Sequence, residues 1–144
     1  MKQTDQRQTG RFRRLWRWLP AVAWMAVIFV LSGREGDELN TVLPLFQQWM
    51  PWMESFDWGH YFAYFILALA FDFALGGRAD RWSGKLLIVA LCGLYGVTDE
   101  YHQSFVDGRT PDVLDLRNDC IGAAMAVALT AIPFIRKRWR RIAP

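Results

Sequence analysis

Residues 98–122 read TDEYHQSFVDGRTPDVLDLRNDCIG, a stretch that sets Asp99, Glu100, His102, Gln103, Asp107, Arg109, Asp112, Asp115, Arg117, Asn118 and Asp119 between two apolar runs. The run before it, Leu86 to Val97, makes only about 18 Å of helix at about 1.5 Å per residue. A bilayer core is about 30 Å thick and needs about 20 residues. A spanning helix here must therefore continue through the acid–His–amide cluster to about Phe105. The run after it, Cys120 to Ile135, has the mirror-image deficit, so its helix is expected to start near Asp112. Both helices then carry ionisable groups below the water line. Such groups are costly in lipid and face a protein interior or a wet cavity, which makes them the place to look for function.

Working outward, the chain of 144 residues is one domain by length. A mean hydropathy of +0.05 does not by itself indicate a membrane protein; the local pattern does. Leu15 to Leu31 is apolar, with Trp16 and Trp18 at its entrance and Pro20 in its first turns. Its length and the lack of a small-x-small cleavage site suit an uncleaved span better than a signal peptide. Ser32 to Asp57 is acidic and holds short, proline-broken apolar pieces around Leu43 and Trp49. An interfacial helix and a capping loop fit this connection equally well. Further spans follow, so the predicted set is 15–32, 58–76, 84–105 and 112–135. The expected fold is an all-α integral membrane bundle of four transmembrane helices.

Lys and Arg cluster at both termini and in the turn at 78–85. The positive-inside rule then places both termini in the cytoplasm, with four spans between them. Topology accounts for the net charge of +3, so no nucleic-acid partner is expected. Cys92 and Cys120 lack C-x-x-C or His-paired spacing and read as small core residues. Asp72 falls near the end of the 58–76 span, where Arg78 or Arg81 could pair with it.

With this orientation His60, the Asp99–Gln103 cluster and Arg109 all fall at the outer face. Asp57, His60, Tyr61 and Tyr64 share one helical face, as do Asp99, His102 and Gln103, and as do Asp112, Asp115 and Asp119. Converging carboxylates and imidazoles permit metal binding or general acid–base work. Arg109 and Arg34 could instead hold a phosphate head group, with the acids ordering them. Polar contacts that serve only as interhelical glue are worth about 0.6 kcal/mol each, which makes this many charges an expensive adhesive. Asp99, Glu100 and His102 are the candidate catalytic residues. His60, Gln103, Arg109, Asp115, Asp119, Asp57 and Arg34 are the candidate binding residues. No metal or other cofactor is expected: Glu100 and His102 are about 200° apart around one helix and cannot aim at one ion.

At these residues the chain resembles the VanZ-like family of bacterial membrane proteins. Asp57 and His60 resemble the two ends of an Asp-Lys-x-x-His element, one residue shorter here, with Trp58 where Lys is usual. Asp99, Glu100 and Gln103 match Asp-Glu-x-x-Gln, and Gly108, Arg109 and Thr110 match a Gly-Arg-Thr followed by Asp115. Asp119 stands where Asn is common, and Gly122 completes the ordered set. The resemblance implies a multi-span protein with a shared polar site, and its first-named member is associated with teicoplanin resistance. The expected function is to bind or modify a polar, anionic envelope component such as a lipid-linked precursor, or a glycopeptide-related ligand, beside membrane lipids. The alternative is a non-enzymatic structural or partner-binding protein whose polar cluster only holds the helices together.

Overall fold

The structure, a computed structural model, is described over residues 15–34, 44–45, 47–48 and 57–143. The described elements are helical throughout: α1 (Leu19–Ser32), α2 (Asp57–Leu75), a 3-10 turn (Gly76–Asp80), α3 (Trp82–Gln103), α4 (Val113–Ala131) and α5 (Pro133–Trp139). The expected all-α class holds. The basic N-terminal arm, and nearly all of the first connection, for which an interfacial helix and a capping loop fitted equally, lie outside the described residues.

Each helix end has a local cause. Asp112 caps α4, its carboxylate accepting the Leu114 N–H at 2.8 Å. Gly108, at φ 72°, turns the α3–α4 loop in a conformation that L side chains resist. The fourth apolar segment is not the single straight rod to 135 that hydropathy suggested. Ile132 is extended (φ −62°, ψ 123°) because it precedes Pro133, whose ring disfavours a helical predecessor. The chain bends there by 90° into α5.

The core draws Ala21 and Ile28 from α1, Tyr64, Leu67, Ala68 and Phe71 from α2, Ile88 and Cys92 from α3, and Ala123 and Ala126 from α4. The most extensive interface is α2 against α4, and it is built on small residues that let backbones approach. A Cβ on Gly122 would run into the Tyr61 carbonyl, and one on Gly84 into that of Arg78. Side chain-to-backbone bonds pin α1 down: Trp24 Nε1 donates to the Ala63 carbonyl at 2.8 Å, and Tyr95 Oη to that of Met25 at 2.6 Å.

The surface is inverted relative to a water-soluble bundle. Leu19, Val22, Phe29, Val30, Phe62, Leu86, Leu94, Val97, Ile121 and Met125 face outward, while Asp72, Lys85, Asp99, Gln103, Asn118, Asp119 and Thr130 are buried. Among the described residues, Trp58–Asp80 is long and apolar enough to cross a membrane. The α4–α5 pair passes the same test if its bend is ignored, and α1 is shorter. The polar last turn of α3 dilutes its apolar middle.

The bundle has two chemically different ends. At one, Arg140 donates to Asp72 at 2.6 Å and grips Asp80 through Nε and Nη2 at 3.0–3.2 Å. Trp139 Nε1 adds a bond to the same Asp72 oxygen, at 2.7 Å. The partner of Asp72 is thus Arg140, not Arg78 or Arg81, because the bend at Ile132 folds α5 back under the bundle. Burial opposes the Arg140 charge, but Asp80 and Asp72 outweigh it and raise its pKa above the ordinary value. Arg17 joins this end by donating to the Phe73 carbonyl.

Candidate functional site

The other end is acidic, and three helix termini build it. His60 lies in the first turns of α2, Glu100 in the last turn of α3, and Asp115 and Asp119 in the first two turns of α4. Helix register sets the pairing: Asp115 and Asp119, one turn apart, both look at α2. His60 Nδ1 lies 2.9 Å from Asp119 Oδ1, and Asp119 is completely buried. The opposite ring nitrogen, Nε2, lies 3.7 Å from Asp115 Oδ2. That is too long for a hydrogen bond. The ring lies parallel to buried Tyr64, with centroids 6.4 Å apart.

Glu100 anchors the loop as well as facing the cluster. Its Oε2 accepts the Asp112 N–H at 2.9 Å, while its buried Oε1 has no hydrogen-bond partner. One ligand-type atom each from His60, Glu100 and Asp115 falls within 4.8 Å of the others. Asp99 is buried beside this group, one oxygen accepting from Gln103 Nε2 at 3.3 Å and the other lacking a partner. Gly96 makes room for the arrangement, since a Cβ there would strike Asp119 Oδ2.

The side chain of His102 turns towards α1 and stacks on Phe29, centroids 3.9 Å apart. Arg109 is half-buried in the α3–α4 loop, its Nε without a partner. Arg34 is exposed just beyond α1. The side chain of Asp57 lies outside the described residues. One feature escaped the sequence reading: Tyr61 donates to Asn118 Oδ1 at 2.6 Å, and Arg117 donates to the same oxygen at 3.3 Å. Adjacent to His60 and Asp119 in sequence, this pair gives α2 and α4 a second polar clasp. The i, i+1 repetition of polar residues on both helices was the available signal.

A hollow of about 360 Å³ lies far from this chemistry, at the opposite end of α1, lined by Leu15, Trp16, Trp18, Leu19 and Val22. Its walls suit acyl chains rather than a polar ligand.

Comparison with known proteins now adds to the geometry. An uncharacterized protein of Schizosaccharomyces pombe is 29% identical over 84 residues, which cover 58% of this chain and 50% of that protein. The chain thus spans about half the length of this curated relative. No solved structure matches the chain. Residues 17–135, which hold every helix of the bundle proper and the whole acidic end, match the VanZ/LLP1 family, and the chain belongs to that family.

Proposed function

We propose that this protein is a cell-envelope membrane protein with four spans, α1 to α4, and both termini in the cytoplasm. Its acidic end binds or modifies a polar, anionic component of the envelope. The observation that carries the reading is the burial of Asp99, Asp119 and Gln103, with His60 and Glu100 beside them, at one end of a bundle whose outer faces are apolar. Groups so costly to bury are kept for ligands, proton relays or ion paths more often than for adhesion. Arg109, half-buried in the α3–α4 loop with a partnerless Nε, supplies the cation that a phosphate or carboxylate head group needs. A lipid-linked precursor has that chemistry, and the family's association with teicoplanin resistance makes it the first ligand to assay. The basic opposite end fits a cytoplasmic face.

Reporter fusions test the topology. Fusions after Arg14, Gly77 and Pro144 should report cytoplasm, and fusions near Glu38 and Asp107 the exterior. An external signal at either terminus contradicts four spans.

Binding separates a site from a packing cluster. In nanodiscs, a polyprenyl-phosphate-linked sugar should bind the wild-type protein, and Arg109→Gln should weaken it about tenfold, the loss of one charge-assisted hydrogen bond. Glu100→Gln with Asp115→Asn should also lose binding while melting close to wild type. If instead that double variant binds fully, or loses binding only because it unfolds, the cluster is adhesive.

A further inference from the structure

We propose that His60, Glu100 and Asp115 form a binding site for one first-row divalent metal ion of the Zn²⁺ or Mn²⁺ class, with Asp119 as the residue that orients its imidazole. The inference deepens the reading of the acidic end as a site and rests on it.

Geometry is the first support. The three ligand atoms come from three different helices and already lie within 4.8 Å of one another. Metal–ligand bonds of about 2.1 Å in a tetrahedral shell put ligand atoms about 3.4 Å apart, so the His60–Asp115 separation of 3.7 Å is nearly right, and Glu100 lies within 4.8 Å of both. Three protein ligands leave a fourth position open, the pattern of a reactive or ligand-binding site rather than a closed structural one.

The second support is independent of those distances. A metal-bound histidine characteristically gives its other ring N–H to a carboxylate, which fixes the tautomer and makes the free nitrogen a better donor to the ion. Asp119, with no exposed surface, does this to His60 Nδ1 at 2.9 Å. The other ring nitrogen of His60, Nε2, lies on the Asp115 side, 3.7 Å from Oδ2, so an ion held by both would sit between them. The partnerless, buried Oε1 of Glu100 completes the set.

Charge is the third. Asp99, Glu100, Asp115 and Asp119 all act on one another or on His60 electrostatically at this end, and a divalent ion is the most compact means of offsetting them. One imidazole and two carboxylates favour Zn²⁺ or Mn²⁺ over Mg²⁺ and Ca²⁺, which prefer all-oxygen shells. The expectation of no metal rested on the angle between Glu100 and His102 and on compensation of the carboxylates by Arg109 and Arg117. His60, from another helix, supplies the imidazole instead.

The experiment uses the full chain in nanodiscs, stripped with chelator and titrated with Zn²⁺ or Mn²⁺ alone. One equivalent should bind and raise the melting temperature, whether or not any envelope lipid is present. Asp119→Asn should weaken binding about 10- to 100-fold, as loss of a ligand-orienting carboxylate does. Glu100→Gln with Asp115→Asn should abolish it. A Cys92→Ala, Cys120→Ala variant should bind as wild type, which excludes the thiols as the ligands. No binding, binding unchanged in the Glu100/Asp115 variant, or binding lost with the cysteines would each overturn the proposal. If metal fails but the phosphate lipid still binds, the anion site stands without the metal; if both fail, the acidic end is not a site.

Discussion

Arg140→Ala should be the most destabilising single substitution at the basic end, costing about 3–5 kcal/mol, the range seen when one partner of a buried ion pair is removed. Asp72 is 2% exposed, and its Oδ2 already lacks a partner. Without Arg140 its Oδ1 keeps only the Trp139 indole, and a nearly naked carboxylate remains inside the bundle. The melting temperature in detergent should fall by about 10 °C or more, from the usual scaling for a chain of this size. The second half of the prediction identifies the cause. Adding Asp72→Asn to Arg140→Ala should recover most of the loss, because a neutral amide tolerates burial better than an unpaired charge. A single variant that melts within about 2 °C of wild type would show that the ion pair contributes little. Metal and lipid binding at the far end should survive below the melting point, since nothing at Asp72 touches His60 or Glu100.

Gly122→Val should have an effect of comparable size through a different mechanism. The closest atoms to a new Cβ at this position are the backbone carbonyl and Cα of Tyr61, which cannot rotate aside as a side chain would. α2 and α4 must separate, and overpacking of this kind costs about 1–3 kcal/mol or more. The damage is also local to function: His60–Asp119 and Tyr61–Asn118 both cross this contact. Gly122→Val is therefore expected to lose metal binding even in the fraction that stays folded. Gly59→Ala is the matched control. Among the described residues nothing lies within 4 Å of its would-be Cβ, and it sits in the first turn of α2, where Ala is the better helix former by up to about 1 kcal/mol. It should leave stability unchanged or slightly raised. Equal behaviour of the two variants would show that the close approach at Gly122 is not needed.

The sequence alone determined that the chain is helical and where its polar groups fall. Apolar runs too short to span required helices continuing into Asp99–Gln103 and beginning near Asp112, and α3 and α4 do so. Periodicity also put Asp115 and Asp119 on one face, because residues three and four apart on a helix must share one. Pro133 was equally legible as a helix breaker, though hydropathy alone passed over it, and so the Arg140 latch went unforeseen. Only the tertiary structure decided which faces meet. Rotation of each helix about its own axis is set by small residues such as Gly96 and Gly122, whose close contacts involve atoms far away in the chain. That rotation sends His102 to Phe29 on α1 and brings Glu100 to His60. A helical wheel lists the residues on a face, but it does not contain the neighbouring helix that the face will touch.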